Sequence, residues 1–151
     1  MIDGFACFAY TARRATATVN SEAEKHGIPV EEFNIWLILR VIQTEGIQKI
    51  NSLAWQLSIS KQQMLNTVET MERGEGLIVY VDPETPSQFQ RKVNITATGQ
   101  TRLAILETRF QTLAENFGKA MPPARMISFA RSITSAARRL KNTPQAAAPK
   151  A

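Results

Sequence analysis

The sequence predicts a mainly α fold, a winged helix-turn-helix in which one β-hairpin follows a pair of short helices and longer helices lie at both ends of the chain. Three observations carry this. Apolar residues recur every three or four positions along most of the chain, give way to a β-branched run and then to strict alternation between 77 and 96, and return to helical spacing afterwards. Immediately before the hairpin, two short helical patterns are separated by Ser58-Ile59-Ser60. The 151 residues, 44% hydrophobic and 21% charged, suit one ordinary globular domain and not a disordered chain.

Each element can be justified in order. From Phe5 to about Lys25 an Ala- and Thr-rich segment carries larger apolar residues at Phe5, Phe8 and Val19, which predicts a helix with one apolar stripe. His26-Gly27 ends it and Pro29 suits the opening of the next helix. That second helix, with Phe33, Ile35, Trp36, Leu37, Ile38, Leu39, Val41 and Ile42, has almost no polar face, so it is expected to be central and covered on most sides. Gly46 stops it. Ile50, Leu53, Ala54 and Leu57 mark a third helix, and Met64, Val68 and Met71 the inner face of a fourth. Between them, Ser60 is placed to cap the fourth helix and Ile59 to plug the corner.

After Gly74-Glu75-Gly76, the run Leu77 to Val81 has strand length, and Arg91 to Thr96 alternates as a half-buried return strand. The tip, Asp82-Pro83-Glu84-Thr85-Pro86-Ser87, is turn chemistry. Leu103, Leu106, Phe110, Leu113 and Phe117 then form a narrow helical seam. Pro122-Pro123 breaks it, and Met126, Phe129, Ile133, Ala136 and Leu140 repeat the spacing. These seams present more apolar surface than a three-helix winged core needs, so a second copy of the chain is the natural cover.

Composition excludes several functions. No apolar run reaches the roughly 18 residues that span a bilayer, and the start lacks a basic leader, so no membrane association and a cytoplasmic location are expected. One cysteine, Cys7, and one histidine, His26, cannot build a zinc cage, so neither a metal nor another cofactor is expected. No nucleophile stands beside a plausible base and no Gly-rich phosphate loop occurs, so the chain is not read as an enzyme. The acid pair Glu31-Glu32 is accounted for by the dipole of the helix it opens. The net charge of +5 favours an anionic partner. Yet residues 1–96 hold nine basic and eleven acidic side chains, whereas residues 97–151 hold nine and two. Total charge therefore does not say which surface meets the anion.

These residues resemble the MarR family of winged-helix transcriptional regulators, over about residues 3 to 140. The resemblance is carried by Leu53-Ala54-Trp55-Gln56-Leu57-Ser58-Ile59-Ser60, by Met71-Glu72 with Gly76-Leu77-Ile78, and by Val93-Asn94-Ile95-Thr96-Ala97-Thr98-Gly99. Two departures stand out. Glu75 looks like a one-residue insertion, and the acidic and basic wing signature usual in the family aligns near Ser87-Gln88-Phe89, with the nearest basic residues at Arg91 and Lys92. The resemblance implies a homodimer that binds a palindromic site in double-stranded DNA and is released by a small aromatic or anionic effector.

The DNA reading also has a physical basis of its own. With Met64, Val68 and Met71 inward, Lys61, Gln62, Gln63, Asn66, Thr70 and Arg73 fall on the outer face of the fourth helix, where amides can pair with adenine and basic groups with phosphate. Ser60, Lys49, Arg91 and Lys92 complete the candidate DNA contacts. Against it, Ser60 to Gly76 contains two basic residues and three acids, Glu69, Glu72 and Glu75. That balance keeps open an alternative, a protein-binding adaptor without DNA contact.

The domain expected is 1–142, with 30–96 the DNA-binding part, 3–27 and 98–142 the dimerisation helices, and 143–151 a disordered tail. Phe5, Phe8, Leu106, Phe110, Leu113, Phe129 and Ile133 are the candidate dimer contacts. Tyr10, Arg13, Arg14 and Trp36 are the candidate effector pocket, set against their ordinary reading as core and solvated face. Cys7 has nothing nearby to lower its pKa and reads as a small apolar residue, although some relatives in the resembled family use a cysteine in this helix as a redox sensor.

Overall fold

The computed structural model describes the backbone of residues 2–142 and the side chains of residues 14–133, 135 and 139. Phe5, Phe8, Tyr10, Arg13, Cys7 and the tail at 143–151 lie outside these described parts. The element order is α1 Ile2–Lys25, α2 Val30–Glu45, β1 Gln48–Lys49, α3 Ile50–Gln56, α4 Lys61–Arg73, β2 Ile78–Tyr80, β3 Lys92–Ile95, α5 Ala97–Ala120 and α6 Pro123–Asn142. Six helices and a small antiparallel sheet make the winged helix-turn-helix expected from the change of period. The chain divides into two compact units between Leu113 and Ala114, within α5.

The first unit is built on one core. Ile38, Leu39 and Ile42 of α2 meet Ile50, Leu53 and Ala54 of α3, Met64, Leu65, Val68 and Met71 of α4, Leu77, Ile78 and Val93 of the wing, and Leu103 of α5. Leu65 joins the inner face that the spacing of Met64, Val68 and Met71 marks. The remaining large side chains of α2, among them Phe33, Ile35, Trp36 and Leu37, are half-buried, so α2 is less completely covered than its composition suggests.

The helix-turn-helix closes as its residues dictate. Leu57 and Ser58 donate to the carbonyls of Leu53 and Trp55, and Ser58 takes the left-handed conformation at φ 54°. The Ser60 hydroxyl then accepts the Gln63 N–H at 3.1 Å, the cap expected at the start of α4. Ile59 is half-buried against the core.

The wing is a three-stranded sheet, not the two-stranded hairpin read from the sequence. β3 pairs antiparallel with β2, in the register Ile78 to Ile95 and Tyr80 to Val93, and on its other edge with β1, Gln48 to Val93 and Lys49 to Lys92. Two residues between a helix stop and a helix start give no alternation to detect, which is why β1 leaves no signal in the sequence.

The seam of α5 packs within the chain itself. Leu106, Phe110 and Leu113 are buried within the first unit. Phe110 lies 5.5 Å from the Phe33 ring and 4.6 Å from the Trp36 ring, so this seam covers the chain's own α2 and is no free surface for a partner. In the second unit, Phe129 and Ile127 of α6 are about half exposed and Ile133 is half-buried.

Thr96 and Gly99 join wing to α5. The Thr96 hydroxyl donates to the Gly76 carbonyl at 2.6 Å and accepts the Gly99 N–H at 3.0 Å, while the Thr96 N–H donates to the Leu77 carbonyl at 3.1 Å. A Cβ at position 99 would stand 2.1 Å from that same Leu77 oxygen and 2.8 Å from Ile95 Cγ1. Gly99→Ala is therefore expected to destabilise the protein by about 3 kcal/mol, at the upper end of overpacking costs. Gly118→Ala, in α5 with nothing within 4 Å of the added carbon, should instead gain roughly 0.5–1 kcal/mol from helix propensity. Urea melts of the two variants check both signs.

Candidate nucleic-acid interface

α4 presents its polar side outward. Lys61, Gln62, Gln63, Asn66, Thr70 and Arg73 are all exposed, whereas Met64, Leu65, Val68 and Met71 are buried. All six residues that the spacing assigns to the outer face are on it. Gln62 donates through Nε2 to Asn66 Oδ1 at 3.0 Å, one helical turn on. That bond holds the two amides together and leaves the Asn66 amide N–H2 and the Gln62 carbonyl oxygen outward, a donor beside an acceptor. The Thr70 hydroxyl is turned back onto the Asn66 carbonyl at 2.9 Å, so it can offer only an acceptor.

Of the three acids that weigh against an anionic partner, Glu69 comes three residues after Asn66 and four before Arg73, on the same side of α4. Glu69 and Glu72 are half-buried, and their charges reach Tyr80, as does that of Arg73. Burial pushes the Tyr80 phenol above its ordinary pKa, and the charges of Glu69 and Glu72 raise it further. Glu75 stands 3.7 Å from Arg102 Nε. The outward strip from Gln62 to Arg73 thus carries amides, a hydroxyl and one guanidinium, with the half-buried Glu69 one turn before Arg73.

The basic residues outside α4 separate into two groups. Lys49 and Lys92 are exposed and directly opposite one another across β1 and β3, at the end of the sheet nearest the wing tip. Like charges in directly opposed positions repel, and a bound anion relieves that repulsion. The sequence names both residues, yet their pairing depends on β1 and so is invisible there. Arg91 behaves differently. It is half-buried, its Nε donates to the Thr85 carbonyl at 3.0 Å, and its guanidinium carbon lies 5.9 Å from the centre of the Tyr80 ring. Arg91 thus helps close the wing tip, while Lys92 is the more exposed of the pair.

At the tip, Asp82 Oδ1 accepts the Lys92 N–H at 2.6 Å, and Thr85 N–H donates to the Asp82 carbonyl at 3.1 Å. A short 3-10 turn at Gln88–Gln90 follows, where the family's wing signature aligns.

Of the candidate effector residues, Arg14 is exposed and Trp36 is half-buried between Phe33 and Phe110, with its Nε1 buried and unbonded. Sequence reasoning missed the role of Glu32. Its carboxylate receives Arg109 Nη1 at 2.5 Å and lies 3.4 Å from Arg102 Nη2, while Arg109 also donates to the Gly27 carbonyl at 3.0 Å. Glu32 therefore fastens α5 to the corner between α1 and α2, a task beyond complementing a helix dipole. Among the described residues no group of His, Cys, Asp or Glu could hold a metal ion, and no helix is long and apolar enough to cross a membrane.

No family model matches the sequence and no curated protein matches it. Solved structures do resemble the fold. A MarR family regulator from Neisseria meningitidis is 17% identical, with 91% of this chain and 94% of that one covered and a TM-score of 0.66. NadR in complex with 4-hydroxyphenylacetate is 17% identical over 87% of this chain and 90% of that one, with a TM-score of 0.61. Staphylococcus aureus MarR in complex with salicylate and kanamycin is 19% identical over 93% of each chain, with a TM-score of 0.56. The chain has the MarR-type winged-helix fold.

The Asp82 hydrogen bond makes a pH prediction. Bonding to the Lys92 N–H holds the Asp82 carboxyl below its ordinary 3.8. For a lowered carboxyl the interaction is complete above the ordinary value and disappears as pH falls through the depressed one. The Lys92 amide resonance should therefore titrate with a midpoint below 3.8, and Asp82→Asn should remove that titration.

Proposed function

We propose that this chain is a sequence-specific DNA-binding transcriptional regulator, acting in the cytoplasm as a homodimer on a palindromic operator. The observation that carries the reading is the outer face of α4. A capped helix with a donor and acceptor pair at Gln62 and Asn66, flanked by Lys61 and Arg73, has the chemistry to read base edges in a major groove. The Lys49 and Lys92 doublet supplies a phosphate clamp on the wing. The same fold in known MarR family regulators supports the reading.

Division of labour follows from the chemistry. Gln62, Gln63 and Asn66 give sequence preference, while Ser60, Lys61, Thr70, Arg73, Lys49 and Lys92 position the helix and contribute affinity. The dimer rests on the helices at 3–27 and 98–142. Because Leu106, Phe110 and Leu113 serve the first unit's own core, the contact between subunits falls on other apolar residues, with the exposed Ile105, Ile127 and Phe129 and the half-buried Ile133 offered for it. A two-fold axis would set the recognition helices about one DNA turn apart. Effector release is part of the proposal, at a pocket including Tyr10, Arg13, Arg14 and Trp36. NadR is seen with 4-hydroxyphenylacetate and S. aureus MarR with salicylate and kanamycin, which supports small-molecule control.

One feature favours the adaptor reading. Trp55, on the outer side of α3, is 59% exposed, and Val79 and Val81 of the wing are about half exposed. Apolar groups of that size suit a protein contact.

Two measurements test the main reading. Asn66→Ala should cost roughly 1–3 kcal/mol on the preferred duplex and relax one base position in each half-site. Lys49→Ala with Lys92→Ala should weaken binding to every duplex and flatten the salt slope by about one unit for each phosphate no longer neutralised. If neither change alters cognate preference or salt slope, the adaptor reading replaces this one. Sedimentation at micromolar concentration should give the mass of two chains, and a monomer would remove the symmetric site.

A further inference from the structure

Between the first two turns of α2 and one flank of α4's outer face lies a cleft of about 250 Å3. Its walls include Glu31, Asn34 and Ile35 from α2 and Gln63, Asn66 and Thr70 from α4. The volume is below that of a drug-sized pocket and suits a single ring with one substituent. Val30 and Ile35 give the ring an apolar wall, while the rest of the lining is amide and hydroxyl apart from Glu31.

The hydrogen-bonding capacity is specific in kind. The Thr70 and Thr67 hydroxyls donate to the carbonyls of Asn66 and Gln63, each at 2.9 Å, which leaves their oxygens as acceptors. Asn66 Oδ1 is taken by Gln62, which leaves the Asn66 N–H2 as donor. A ligand group that donates is matched by the two hydroxyl oxygens, and one that also accepts, such as an amide, is matched by the Asn66 N–H2 as well.

Charge decides the class of ligand. Glu31 is the one ionised side chain in the lining, which contains no lysine, arginine or histidine. The N-terminus of α2 contributes about half a positive charge, less than the full negative charge of Glu31. Glu32, the next acid, is already matched by Arg109 and Arg102. An anion entering the cleft would lose hydration and meet a carboxylate, whereas a neutral or singly cationic group would not meet that repulsion.

We propose that this cleft binds a small neutral or monocationic ring compound bearing an amide or amidinium group. Such a ligand occupies Gln63, Asn66 and Thr70, so it competes with DNA for the face of α4; that consequence rests on the DNA reading, while the binding itself does not. The site differs in position and in sign of charge from a pocket at Tyr10, Arg13, Arg14 and Trp36.

Benzamide, benzamidine and benzoate share one shape and differ in charge, so they make a direct test with the isotope-labelled full chain. Benzamide and benzamidine should shift the side-chain amide resonances of Asn34, Gln63 and Asn66 at millimolar concentration, and benzoate should not. Glu31→Gln should remove a preference for benzamidine over benzamide of roughly two- to fivefold, the range of an exposed ion pair. Equal shifts with benzoate, shifts confined to other residues, or no shifts at concentrations on the order of tens of millimolar, well above the weak affinity of such fragments, would overturn the proposal. Shifts as expected without any displacement of bound duplex would uphold the cleft and count against the DNA reading instead.

Discussion

The Leu77 carbonyl sets where the wing leaves α4 and where α5 begins. It accepts the Thr96 N–H from the end of β3, and Gly99 of α5 packs so closely on it that no side chain fits there. Thr96 adds a second tie by donating to Gly76 while capping α5 through Gly99. Two segments 20 residues apart, 76–77 and 96–99, thus meet within hydrogen-bond distance. If this junction opened, β2 would lose the edge of β3, and the wing with its lysine doublet would no longer be registered against α4. The Thr-x-x-Gly stretch in the sequence has its physical explanation here: one residue must cap, donate and accept, and the other must have no Cβ.

Electrostatics extends that junction into the rest of the first unit. Arg102, one turn after Gly99, lies between Glu32 of α2 and Glu75 of the turn that follows α4. Arg109 reaches Glu32 and the Gly27 carbonyl, and Arg40 donates to Glu107 at 2.8 Å. Partly exposed pairs of this kind contribute little each, of the order of 0–1 kcal/mol. Their effect is on geometry: they fix how α5 lies along α2 while the apolar seam of Leu106, Phe110 and Leu113 supplies the burial. Glu75, in the turn after α4, thereby becomes a partner for Arg102.

Much of this is legible in the residues. The helices, the turn at Ser58 to Ser60, the Ser60 cap and the six outward residues of α4 all follow from periodicity and capping chemistry, because these are local properties. What the sequence does not show is non-local. β1 is too short for a pattern, so the pairing of Lys49 with Lys92 stays hidden. Arg91 looks like a wing cation, but its commitment to Thr85 and Tyr80 depends on how the tip folds back. The α5 seam is plainly apolar, and spacing alone does not say whether such a seam meets its own chain or another. Glu32 reads as a helix-dipole residue because its true partners lie 70 and 77 positions away.

In the proposed mechanism an amide-bearing helix face, positioned by the Leu77 junction and flanked by paired lysines, reads DNA in two symmetric copies. Selection of bound duplexes from a random pool by the full chain tests this most directly. It should enrich an inverted repeat whose half-sites lie about 10 base pairs apart, one turn of the double helix. A pool that stays random through successive rounds, or a motif without two-fold symmetry, would contradict it.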